Sequence, residues 1–67
     1  MDYTNQIGEK IKSLCEFKNI SVSELSERTG LAPEQIDRII NNIDIPSLAP
    51  LIKIARALGV RLGTFLD

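Results

Sequence analysis

Apolar residues recur along this 67-residue chain at intervals of three and four, the spacing that places them on one face of an α-helix. The spacing predicts a first helix that starts at residue 4 or 5, ends at residue 18, and buries Ile7 and Ile11. Gly8 weakens this helix slightly, because glycine loses more backbone freedom than other residues on folding. Asn19 ends it in the prediction, since asparagine readily adopts the left-handed conformation of a helix C-cap.

Two short helices joined by a tight turn are predicted between residues 21 and 41. Ser21 and Glu24 have the spacing of a capping box, in which each side chain accepts a hydrogen bond from the other residue's amide. Gly30 ends the first helix because glycine adopts the left-handed conformation without a Cβ clash. Pro33 opens the second, since its φ is already near the helical value. Helix, glycine turn and helix form a helix-turn-helix motif.

Further helices complete the prediction. Ser47 caps a fourth helix that ends at Gly59, and residues 60–66 fit one more helical turn that closes the core. Residues 42–46 are predicted to be an irregular connection. The expected fold class is therefore all-α, a compact bundle of five helices without strands.

Composition narrows the classes of function. The chain has no histidine and one cysteine, Cys15, so we expect no internal disulfide, no metal site and no cofactor. Cys15 lies on a helix face and is interpreted as a small buried hydrophobe rather than a reactive thiol, and cysteine use of this kind favours a cytoplasmic setting. No segment is long and apolar enough to span a membrane, and no nucleophile–base pair or phosphate loop is present. We therefore expect neither an enzyme nor a membrane protein.

The charge is unevenly distributed along the chain. The net charge is −1, and this balance does not by itself support binding to a polyanion. Residues 33–47 carry a net charge of −2, whereas residues 48–67 carry +2. The acidic stretch includes the second helix of the motif.

Four segments in order resemble the lambda repressor and Cro type of helix-turn-helix domain, also called the xenobiotic-response-element family. They are IGEKI at 7–11, SVSELSERTG at 21–30, PSL at 46–48 and IARALGV at 54–60. The resemblance implies a lambda-repressor-like DNA-binding domain over residues 7–66, with the motif at about 21–41, preceded by an N-terminal extension at 1–6. The stretch 46–67 looks like members in which a ligand-sensing cupin barrel follows, so any small-molecule effector would act through a domain outside this chain. A stand-alone regulator of this size would look the same.

In that family the second motif helix enters the major groove of double-stranded DNA, and the start of the first motif helix holds a phosphate. By this resemblance Arg38 would bond to O6 and N7 of guanine, and Glu34 or Asp37 would accept from N4 of cytosine. Lys10 and Lys12 are the further candidates for phosphate contacts. The implied DNA-binding set is Ser21, Ser23, Pro33, Glu34, Gln35, Asp37, Arg38, Asn41 and Asn42.

The sequence departs from the family pattern at several positions. Val22 stands where a glutamine usually contacts phosphate, and the connection at 42–45 lacks the usual glycine and basic residues. Cys15 and Ile40 stand where members often have an arginine–glutamate ion pair. That replacement says little about DNA binding. The missing phosphate contacts, together with repulsion of phosphates by Glu34, Asp37 and Asp44, predict weak DNA binding by a monomer and a homodimer that engages two half-sites.

Alternative roles that do not involve DNA remain open for several of these residues. Arg38 could simply form an ion pair with Glu34 one turn away. Glu34 and Asp37 could stabilise the helix through their interaction with the positive end of its dipole. Ile43 and Ile45 could fold inward or form a contact patch. The alternative function is a protein-interaction module that uses this patch and the acidic second helix to meet a partner, with weak or no DNA binding.

Overall fold

The computed structural model describes residues 3–66, and over that part of the chain every regular element is a helix. The helices are α1 (Tyr3–Lys18), α2 (Val22–Thr29), α3 (Pro33–Ile40), α4 (Leu48–Leu58) and α5 (Gly63–Leu66). The predicted five-helix, all-α fold is confirmed. The predicted extension at 1–6 falls partly outside the described residues, and α1 already begins at Tyr3.

Residues in the left-handed conformation separate successive helices. Asn19 has a φ of 58° and Gly30 a φ of 77°, so both predicted helix ends are confirmed. Asn42 (φ 61°) follows α3, and Gly59 (φ 71°) follows α4. At Gly30 the cap amide donates to the Ser26 carbonyl, which satisfies one of the last carbonyls of α2 and turns the chain into α3.

The helix N-termini differ from the prediction in detail. Ser21 is the N-cap of α2, and its hydroxyl accepts from the Glu24 amide at 3.0 Å. The Glu24 carboxylate accepts instead from Arg28 at 2.7 Å, because an arginine one turn further along the same face competes for it. Ser47 occupies the N-cap position of α4, but its side chain makes no capping hydrogen bond.

A single hydrophobic core joins all five helices. α1 packs against α3, α4 and α5, while α2 lies between α3 and α4 and contacts both. The buried apolar side chains are Ile7, Ile11, Cys15, Leu25, Ile36, Ile39, Leu51, Ile54, Ala55, Leu58 and Phe65. Because α3 contributes Ile36 and Ile39 to this core, the core fixes its rotation about its own axis and hence the face that it presents to solvent.

Gly8 allows α1 to approach the end of α3 closely. A Cβ placed at Gly8 would lie 2.7 Å from the Ile39 carbonyl oxygen and 2.9 Å from that of Ile40, and it would also meet Oδ1 of Asn42. Both carbonyls belong to the last turn of α3. Gly8 is therefore a packing requirement as well as a point of helix weakness.

Thr29 stabilises the turn between α2 and α3 through hydrogen bonds to the backbone. It is 8% exposed, and its Oγ1 donates to the Leu25 carbonyl at 2.8 Å while accepting from the Leu31 amide at 3.2 Å. We expect Thr29→Val to lower the free energy of unfolding by about 1–2 kcal/mol, because the valine keeps the shape but leaves the Leu31 amide unpaired. Urea denaturation followed by circular dichroism measures the loss.

Thr29→Ser is the matched control, because it keeps the hydroxyl and removes only the methyl group. We expect the serine variant to lose clearly less stability than the valine variant. If both lost the same amount, packing of the side chain rather than its hydrogen bonds would hold this corner.

Candidate nucleic-acid interface

α3 presents one polar face to solvent. Ile36 and Ile39 are 0% and 2% exposed, so the positions between them along the helix point outward. Gln35, by contrast, is half-buried. The exposed members of the predicted DNA-binding set on and just after this helix are Pro33, Glu34, Asp37, Arg38 and Asn41.

A solvent-open groove of about 530 Å³ runs between this face and the start of α2. Its rim includes Lys12 and Glu16 of α1, Ser21 at the cap of α2, and Asp37 and Asn41 at the end of α3. The fold therefore brings three members of the predicted set to one groove. One cation stands on this rim against two carboxylates, a poor balance for holding phosphate.

The first two residues of α2 differ in their surroundings. Ser23 is exposed on the first turn of α2 but does not line the groove. Val22 is half-buried and packs against the core, which accounts for an apolar residue at this position.

The two asparagines after α3 have different surroundings. Asn41 donates from Nδ2 to the Asp37 carbonyl at 2.9 Å and so caps the helix. Asn42 is half-buried, and its Oδ1 is shielded from solvent beside Gly8 without a hydrogen-bond partner. That oxygen is turned toward α1 and away from the outward face of α3.

Arg38 is paired with the loop that follows α3. Its Nη1 lies 3.8 Å from Oδ2 of Asp44, with the two side chains 59% and 48% exposed. The amides of Ile43 and Asp44 both donate to the Arg38 carbonyl, at 2.8 Å and 3.3 Å, which folds the loop back onto the helix end. The sequence offered Glu34 as the partner of Arg38, whereas the structure pairs Arg38 with Asp44.

The two candidate lysines of α1 have different surroundings. Lys10 donates from Nζ to the Thr64 carbonyl at 3.1 Å, which links α1 to α5. Lys12 is exposed and lines the groove. Of this pair, only Lys12 stands beside the candidate interface.

Cys15 lies at the base of the groove and is 6% exposed. Burial raises the pKa of its thiol, and the neighbouring Glu16 carboxylate raises it further. The thiol is therefore held in its neutral form, which suits an apolar packing role in the groove that Ile40 also lines, at the two positions where the family resemblance implies an ion pair. Among the described residues, no group of three or more His, Cys, Asp or Glu side chains is placed to hold a metal ion.

A basic concavity between α2 and α4 was not anticipated from the sequence. Arg28, Lys53 and Arg56 line an open depression of about 330 Å³, with none of its lining residues contributed by α3. Arg28 is held there by the Glu24 carboxylate and by the Ala57 carbonyl, to which it donates at 3.3 Å. These cations come from separate parts of the chain, so only the packing of α2 against α4 reveals the cluster.

The connection after α3 exposes apolar side chains. Ile43 is 70% exposed and Ile45 71%, and Leu48, the first residue of α4, is 60% exposed. The interpretation in which both isoleucines fold inward is therefore wrong. The alternative of a contact patch stays open.

The geometry defines a small all-helical domain in which α2, a glycine corner and α3 form a helix-turn-helix with an outward-facing second helix. The family model described as helix-turn-helix, of the HTH_3 type, matches residues 11–65. The chain belongs to this helix-turn-helix family, which confirms the resemblance seen in the sequence.

Curated relatives match most of this chain. The HTH-type transcriptional regulator SinR of Bacillus subtilis is 37% identical over 62 residues, and that of Bacillus licheniformis is 36% identical over 62 residues. In both cases the match covers 91% of this chain and 56% of the relative, so the chain spans about half their length. The predicted ligand-sensing domain stays a prediction.

Solved structures share the fold. A crystal structure of an HTH_3 family transcriptional regulator from Vibrio cholerae superposes with a TM-score of 0.89 at 25% identity, covering 96% of this chain and 36% of that one. A crystal structure of SinR, described as the master regulator for biofilm formation, in complex with DNA gives a TM-score of 0.86 at 37% identity. That match covers 91% of this chain and 98% of the crystallised one. No helix among residues 3–66 is long and apolar enough to cross a membrane.

Proposed function

We propose that this chain is a sequence-specific DNA-binding domain of a transcriptional regulator, which places the outward face of α3 in the major groove. The exposed polar face of α3, with Ile36 and Ile39 anchoring the opposite face, is the observation that carries the proposal. A helix held in this way can enter a groove about 12 Å wide without disturbing the core behind it. The SinR–DNA crystal structure, nearly all of whose chain this domain matches, supports the same role.

The residues of the interface have distinct proposed roles. Arg38 reads a guanine through O6 and N7, because its guanidinium is exposed on the outward face. Ser21 and the amides at the start of α2 hold a phosphate across the groove, with Lys12 beside them. Glu34 and Asp37 accept from cytosine amino groups where the sequence permits and repel phosphates elsewhere.

The charges of the interface predict weak binding by a monomer. With Lys12 opposed by Glu16 and Asp37 at the groove, we expect a monomer to bind a single half-site no more tightly than about 10⁻⁶ M at physiological salt. Fluorescence anisotropy against random and selected duplexes measures this. A single half-site bound much more tightly by a monomer would contradict the expectation.

We propose that a homodimer supplies the missing affinity by engaging two half-sites. A selected duplex with two half-sites should then bind about 10²-fold more tightly than the same duplex with one. Analytical ultracentrifugation of the complexes gives the number of chains bound. Equal affinity for one and two half-sites would show that the copies do not act together.

The proposed DNA-binding role has consequences for the location, chemistry and regulation of the protein. We propose a cytoplasmic, non-catalytic protein that needs no cofactor for DNA binding, with any effector acting through a part of the regulator outside this chain. The DNA complex of the similar SinR chain favours this assignment over the alternative of a protein-interaction module.

A further inference from the structure

Asp44 lies beside the arginine proposed to read DNA, although it belongs to the loop after α3 and not to the helix. Its Oδ2 is 3.8 Å from Nη1 of Arg38. We propose that Asp44 is a positioning residue, which holds the Arg38 guanidinium in the orientation that a guanine requires and so increases base discrimination. This inference rests on the proposed DNA-binding function.

The loop fixes the Asp44 backbone to the same residue that its side chain contacts. Asn42, in the left-handed conformation, reverses the chain after α3. The amides of Ile43 and Asp44 then donate to the Arg38 carbonyl at 2.8 Å and 3.3 Å. Main chain and side chain of Arg38 are thus both in contact with the loop, so the position of the carboxylate follows the end of α3.

The chemistry of the guanidinium allows it to contact Asp44 and a base at once. Arginine carries five N–H donors in a planar fork, and a carboxylate near Nη1 leaves other donors for O6 and N7 of guanine. A side chain already oriented loses less rotamer freedom on binding. Discrimination at the base pair that Arg38 contacts should therefore depend on Asp44, although Asp44 itself is not proposed to contact a base.

The same carboxylate has a second effect of opposite sign. A negative charge beside the duplex repels phosphates and weakens binding to every sequence alike. Asp44 is therefore expected to lower overall affinity while raising discrimination. These two effects are separable, because only the effect on discrimination depends on which base pair faces Arg38.

The test is Asp44→Asn, measured by fluorescence anisotropy at constant salt. The duplexes are a selected sequence, variants with each base pair changed in turn, and a random sequence. We expect discrimination at one base pair, the pair that Arg38→Ala also affects, to fall about two- to ten-fold while binding to the random duplex strengthens. The Arg38→Ala/Asp44→Asn double variant should lose no more discrimination there than Arg38→Ala alone.

Glu27→Gln is the control, because it removes one negative charge from an exposed position of α2 that lines neither the groove beside α3 nor the basic concavity between α2 and α4. We expect it to leave discrimination unchanged. If Asp44→Asn strengthened binding to all duplexes equally, Asp44 would act only by repulsion, and the inference would be overturned. Increased discrimination would overturn it as well, since Asp44 would then compete with guanine for Arg38.

A measurement without DNA separates the inference from the proposed function. In the free protein, the NMR signal of the Arg38 Nε–H group should shift and exchange faster in Asp44→Asn than in the wild type, and Glu27→Gln should not alter it. An unchanged Arg38 signal would overturn the positioning role alone. A wild-type chain with no preference among duplexes would instead overturn the proposed function.

Discussion

Gly8→Ala is expected to lower the free energy of unfolding by about 2–3 kcal/mol, the cost typical of overpacking a tight contact. In an open helix the same change would be stabilising by about 1 kcal/mol, because alanine is the better helix former. Here the added Cβ would approach the Ile39 and Ile40 carbonyl oxygens to 2.7 Å and 2.9 Å. Both partners are backbone atoms, so relief requires α1 and α3 to move apart.

The loss would be large for a domain of this size, whose total stability is roughly 3–10 kcal/mol. Thermal and urea denaturation by circular dichroism would measure it. Gly63→Ala is the matched control, since Gly63 also lies in a helix, and a Cβ there meets nothing within 4 Å. We expect Gly63→Ala to leave the stability unchanged or raise it, and a Gly8→Ala variant that stabilised the domain as much as Gly63→Ala would show that α1 and α3 are not in close contact at this point.

Arg38→Ala is expected to weaken binding to the selected duplex by about 1–3 kcal/mol and to remove the preference at one base pair. The reason is that a bidentate contact to guanine is lost while the rest of the interface stays in place. Binding to a random duplex should weaken less. Anisotropy titrations over single-base variants of the selected duplex measure both quantities.

Arg56→Ala removes the same charge from the basic concavity between α2 and α4 and serves as the matched control. We expect it to change binding to all duplexes by a similar small factor. If Arg38→Ala also weakened every duplex equally, Arg38 would be a phosphate contact and not a base-reading residue.

Local signals in the sequence predicted the order of the helices and most of their ends. Asn19 and Gly30 were predictable because a left-handed C-cap depends on the residue itself and its immediate neighbours. The outward face of α3 was predictable from the spacing of Ile36 and Ile39, because one buried stripe fixes the opposite face.

Contacts between distant residues were not predictable in the same way. Lys10 and Lys12 look equivalent along the chain, yet Lys10 binds a carbonyl 54 residues away while Lys12 lines the groove. The role of Gly8 depends on carbonyls at the end of another helix. The pairing of Arg38 with Asp44 required the fold of the connecting loop, for which the sequence contains no repeating pattern.

The basic concavity also affects the first encounter with a nucleic acid. Arg28, Lys53 and Arg56 lie on the α2–α4 side, whereas carboxylates surround Arg38 on the α3 side. At distances beyond direct contact, we therefore expect a duplex to be attracted to the α2–α4 side of the domain more strongly than to the α3 side. If α3 enters the major groove as proposed, such an encounter would lead to specific binding only after the protein had reoriented on the duplex.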